Sequence, residues 1–140
     1  MTQNEKDILL KDLCARLPYG VKLHCSSNVM ICIGPYTLNT IVLDRIFNDN
    51  TKYVPFDEFK PYLFPLSSMT EEQYNEMQTI SGKDCMEHME IEKEWRNNSL
   101  FTHLPLYQHR VIEFFHKYHF DYRGLIPMGL AIDATGKNIY

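Results

Sequence analysis

The chain opens on a helical period. Thr2 and Glu5 stand at capping-box spacing, where a hydroxyl satisfies one orphan N–H and a carboxylate returns to another. Leu10, Leu13, Cys14 and Leu17 follow at i, i+3, i+4 and i+7, an apolar stripe that must lie on a core for so short a helix to persist. Pro18 and Gly20 end it. The period then changes to two. Val21, Leu23 and Cys25 alternate with Lys22, His24 and Ser26, as in a half-buried strand. Ser27-Asn28 reads as a tight turn into the apolar run Val29–Ile33, which Gly34-Pro35 breaks. Tyr36–Leu43 predicts a third strand. After a loop at Asn48-Asp49-Asn50, Lys52–Phe59 predicts a fourth, weakened by Pro55.

Lys60–Leu66 is apolar but contains Pro61 and Pro65, so it reads as an extended segment laying its aromatics over the sheet edge rather than a central strand. Thr70 and Gln73 repeat the capping-box spacing, and Met69 and Tyr74 occupy the positions of a hydrophobic staple. A helix is predicted from Glu71 to Ser81-Gly82. Residues 83–103 support two readings. Cys85, Met86 and Met89 suit a helix, Met89–Glu92 alternates like a strand, and Asn97-Asn98-Ser99 is a turn in both. Pro105–Tyr118 predicts a helix, with Leu104, Tyr107, Val111, Phe114, Phe115 and Tyr118 within an arc of about 100°. Leu125–Ile132 admits a last strand, and Ala134–Tyr140 reads as a turn and a loose end. The sum is an α+β fold: an antiparallel sheet or small half-open barrel of about four to five strands, packed with about three helices.

A length of 140 residues suits a single domain, with a helical and β-rich part over 1–66 and a mainly helical part over 67–140. Hydrophobic residues at 44% and charged residues at 23% place it among globular chains rather than disordered ones. The net charge of −4 lacks the Lys and Arg surplus that neutralises phosphates, which argues against a nucleic-acid partner. No apolar run reaches the ~20 residues that span a bilayer, and Met1–Leu17 has no signal-peptide pattern. The expected location is cytoplasmic. There Cys14, Cys25, Cys32 and Cys85, all in apolar settings and without a C-x-x-C pair, would stay reduced and act as small hydrophobes. In an oxidising compartment, Cys25 and Cys32 could be bridged across neighbouring strands.

Candidate chemistry concentrates late in the chain. His109, Glu113 and His116 stand at i, i+4 and i+7 on the predicted helix, opposite its aromatic stripe, with His119 just beyond. Two imidazoles and a carboxylate on one stripe can hold a divalent metal, and Glu-x-x-His is a helical ligand spacing. The competing reading is a solvated polar face flanked by Arg110 and Lys117, and it is preferred, because an amphipathic helix must have one. A di-iron bundle needs a second Glu-x-x-His, which the chain lacks. Nothing in the sequence brings His88 to these groups. No nucleophile elbow and no glycine-rich phosphate loop is present. Arg123, beside Asp121, could bind a carboxylate or phosphate, or tie the helix end down through Asp121 or Asp133; the structural role fits better. Tyr62, Phe64 and Pro65 form a candidate partner-binding patch, with a cap over the core as the alternative.

Three stretches, Asp12–Lys22 (DLCARLPYGVK), Lys60–Glu72 (KPYLFPLSSMTEE) and Phe120–Gly136 (FDYRGLIPMGLAIDATG), resemble a family of short uncharacterised proteins encoded in prophages and mobile elements of gut anaerobes. The resemblance implies a setting and no reaction, cofactor or catalytic residue. It favours an accessory protein that binds host or phage components. The expectation is therefore a small, non-enzymatic intracellular protein that binds a protein partner or itself. A metal-binding protein or small metal-dependent hydrolase using His109, Glu113 and His116 is the alternative, and a nucleic-acid-binding module the second.

Overall fold

Thr2 starts the first helix, α1 (Gln3–Arg16), through a complete capping box. Its hydroxyl accepts from the Glu5 N–H at 3.3 Å, and Glu5 accepts from the Thr2 N–H at 2.6 Å. A 3-10 turn, Leu17–Tyr19, follows and ends at Gly20, whose φ of +67° needs a residue without a Cβ. The computed structural model describes residues 1–26, 28–37, 40–45, 48–81 and 108–140. The region 83–103, with Cys85, His88 and the turn at Asn97-Asn98-Ser99, lies outside the described residues, as do Leu104, Pro105 and Tyr107.

The buried face of α1 is displaced from the predicted stripe. Leu9, Asp12, Leu13 and Arg16 are buried, at i, i+3, i+4 and i+7, whereas Cys14 is exposed and Leu10 and Leu17 are only partly covered. The helical period was legible, but its phase was set by a buried ion pair that apolar positions do not reveal.

The strands are β1 (Lys22–Cys25), β2 (Asn28–Thr37), β3 (Thr40–Arg45), β4 (Asn48–Pro55), β5 (Phe59–Leu63) and β6 (Ile132–Asp133). They form one open mixed sheet in the order β4-β3-β2-β1-β5-β6, with every pairing antiparallel except β5 with β6. The open sheet is the first of the two predicted forms. Gly34-Pro35 does not break β2. Register shifts between Cys32 and Gly34 and between Pro35 and Thr37 absorb it, as a bulge accommodates a residue that cannot donate. The third strand accordingly starts at Thr40, later than predicted, and β4 begins inside the predicted Asn48–Asn50 loop.

The proline-rich segment is also a strand. β5 lies between β1 and β6, with Pro61 opposite Leu23. The short β6 reaches only Tyr62 and Leu63, so among the described residues Pro61 has a strand neighbour on one side alone, the setting in which a missing N–H does least harm.

Two apolar clusters follow. The first packs Leu9 and Leu13 of α1 against Leu23, Cys25, Met30 and Val54 of the sheet. The second joins Leu66 and Met77 to Val111, Phe114, Phe115 and Phe120, and so binds α2 (Glu71–Ser81) to α3 (Gln108–Lys117). Thr70 and Gln73 cap α2 reciprocally, at 2.9 and 3.3 Å, and Met69 and Tyr74 both pack on the second cluster. Thr70→Ala should lower stability by about 1 kcal/mol, read as a drop in urea midpoint at unchanged slope.

α3 ends in a Schellman motif. The Phe120 N–H donates to the Phe115 carbonyl at 2.8 Å and the His119 N–H to the His116 carbonyl at 3.2 Å. Its left-handed residue is His119, φ +57°, where glycine is usual; a side chain there costs roughly 1–2 kcal/mol. Residues 134–140 are not the predicted loose end. The Ala134 N–H donates to the Leu63 carbonyl at 2.8 Å, and the Tyr140 hydroxyl donates to the Tyr62 carbonyl at 2.8 Å.

Candidate functional site

Polar residues of the first and third of the three sequence stretches meet where α1 crosses the end of α3. Asp12 and Arg16 are completely buried. Arg16 grips the Asp12 carboxylate with Nε at 2.7 Å and Nη2 at 3.1 Å, a bidentate fork. Its Nη1 donates to the Phe115 carbonyl at 3.2 Å and its Nη2 to the Phe120 carbonyl at 2.7 Å. The guanidinium thus satisfies carbonyls at the end of α3, where a cation also complements the helix dipole.

A second arginine joins from outside. Arg123 Nε lies 3.2 Å from Asp12 Oδ1, with a third of its side chain still exposed. The guanidinium carbons of both arginines lie over the Tyr122 ring, 5.7 Å from its centroid for Arg16 and 4.8 Å for Arg123. That ring stacks on Phe115 and the Tyr122 hydroxyl lies 2.8 Å from His116 Nε2. Burial, and next the Arg16 charge, push His116 down to a pKa of about 4, so it is neutral at physiological pH. Asp121, also buried, accepts from the Leu125 and Ile126 N–H groups at 2.8 and 2.7 Å; burial nonetheless raises its pKa.

A second group lies against β1 and β5. His119 is buried and stacks on Tyr140 with ring centroids 3.9 Å apart and planes 15° apart. Among the described residues its Nδ1 has no hydrogen-bond partner. The Tyr140 hydroxyl accepts from the Lys22 N–H at 3.1 Å, and burial pushes its pKa up to about 12. Lys22 Nζ donates to the Ile139 carbonyl. His24 Nδ1 lies 3.0 Å from the Tyr62 hydroxyl.

Several sequence expectations change on this geometry. His109 and Glu113 sit together on the outer face of α3, Nε2 to Oε1 3.4 Å, with side chains 87% and 51% exposed. His116, farther along the same stripe, is covered instead: it is buried, with Nε2 2.8 Å from the Tyr122 hydroxyl, so the three side chains are not presented together. Among the described residues, no three His, Cys, Asp or Glu side chains are placed to hold one metal ion. Arg123 pairs with Asp12 rather than Asp121 or Asp133. Tyr62 is buried and Phe64 half-buried against Phe120 and Tyr140, so this pair covers the interior instead of presenting an open patch. Cys25 and Cys32 are both buried.

No protein family, curated protein or solved structure matches the chain. No helix among the described residues is long and apolar enough to cross a membrane.

Proposed function

We propose that the chain is a small accessory protein that acts by binding a protein partner along the outer strand of its sheet. β4 carries this reading. Among the described residues it ends the strand order, and it runs for eight residues and presents Tyr53 at 56% exposure. An outer strand offers main-chain groups that an extended segment can pair with, and a tyrosine adds rigid contact area at low entropic cost.

The interior supports a non-catalytic role. Asp12 and Asp121 are engaged by guanidinium and backbone donors, and Arg16 by carbonyls, so each spends its bonding capacity on joining elements. The resemblance to short prophage and mobile-element proteins points the same way, since such products often act by binding. A cytoplasmic setting, in which the thiols stay reduced, fits this reading. A metal-dependent hydrolase has less support, because His116 is buried and engaged with Tyr122 while His109 and Glu113 are exposed.

Tyr53→Asp tests the proposal. Immobilised wild-type chain should retain a partner from the host lysate that the variant loses, while the variant still unfolds in one cooperative transition. Equal capture by both chains, or capture by neither, would sink the idea.

A further inference from the structure

His119 occupies a position that its backbone and its ring both make costly, and neither cost serves the helix end. Glycine would take the left-handed φ of +57° without strain and would make the same Schellman hydrogen bonds. The imidazole is buried, with its Nδ1 unpartnered among the described residues. What the side chain does provide is a flat surface against Tyr140. Tyr140 in turn pins residues 134–140 to the sheet through the Tyr62 carbonyl and the Lys22 N–H. Between these anchors Thr135, Gly136, Lys137 and Asn138 are exposed, so the segment returns to the body only at its end, through Tyr140 and the Ile139 carbonyl that accepts from Lys22 Nζ.

We propose that His119 and Tyr140 form an acid-sensitive latch, in which protonation of the His119 ring releases residues 134–140 from the sheet. The groups around the ring decide the direction. Arg16 and Asp12 face it from α1, the Tyr19 carbonyl from the following turn, Lys22 from β1 and Tyr140 from the segment itself. The two cations oppose an imidazolium; the Tyr140 ring face, Asp12 and the Tyr19 carbonyl favour it, but Asp12 is already held by Arg16 and Arg123, and burial of the ring outweighs the rest. A proton on Nδ1 would add a buried donor without an acceptor. Burial, ahead of the Arg16 charge, accordingly depresses the ring's pKa to about 4. A depressed histidine stabilises the latched state fully above its ordinary pKa near 6.5 and progressively less as pH falls toward the folded value. Opening the latch lets the ring take up its proton in water.

Hydrogen exchange resolved by segment, on the whole chain, tests this. Between about pH 7 and about pH 5, corrected protection of residues 134–140 should fall roughly tenfold or more, while that of α1 holds. His119→Asn tolerates the left-handed backbone but cannot titrate here, so its protection over 134–140 should be the same at both pH values. His119→Gly, which relieves the backbone and removes the ring, should leave the segment open at both. The latch is refuted if wild-type protection does not change with pH, if His119→Asn loosens as wild type does, or if the segment opens only together with α1.

Discussion

Replacing Arg16 with methionine is expected to lower the unfolding free energy by about 3–5 kcal/mol, the cost of leaving one member of a buried ion pair without the other. Methionine fills much of the same volume, so the loss is electrostatic rather than a cavity. Three consequences add. Asp12 keeps only Arg123 as a cationic partner, and the Phe115 and Phe120 carbonyls each lose a donor. A urea titration of Arg16→Met, Asp12→Asn and the double variant gives the coupling directly. The double variant should recover about 1–3 kcal/mol relative to the sum of the singles. A single-variant loss below about 1 kcal/mol would mean that the pair does not hold α1 to α3.

The second large effect is acid destabilisation. His116 and His119 are both pushed from 6.5 to about 4 in the folded state, chiefly by burial. The sign follows: each contributes stability that is complete above the unfolded value of 6.5 and is lost as pH falls through the window toward 4. Each contributes at most about 3 kcal/mol over that range. Glu76, held low first by the Tyr118 hydroxyl and then by Lys117, acts in the same direction at lower pH. Asp121, raised by burial, acts against it, since its folded form favours the proton. Urea midpoints measured from about pH 7.5 down to about pH 4.5 should fall steeply for wild type. In His116→Gln the slope should be clearly shallower, even if the variant starts less stable. A flat wild-type profile would show that neither imidazole is kept neutral by the fold.

Much of the architecture was legible because local chemistry and tertiary structure agree. Both capping boxes form, Val111, Phe114 and Phe115 bury the expected face of α3, and the period-two run over Lys22–Cys25 is a strand. Most of the failures share a cause: each depended on a partner far away in sequence. Pro61 enters a strand because β6 is too short to pair with it. Asp12 and Arg16 turn inward because carbonyls at the end of α3 and Arg123 complete their bonding. Their i, i+4 spacing beside Leu9 and Leu13 was the available signal, but the same spacing on a surface helix is common and carries little energy. His116 differs: its partner Tyr122 is only six residues on, but the chain must turn back after α3 to cover it, and the helical spacing does not show that turn.

The Arg16 fork bonds to residues 99 and 104 positions away along the chain. A contact of such span closes a large loop, and its entropy must be met before the bond returns anything, which favours slow, late formation over local nucleation. A conservative change at Arg16 should therefore accelerate unfolding far more than it retards folding. Synthesis adds a constraint of its own: α1 emerges first, and its charged pair has to wait in water until Phe120 has left the ribosome.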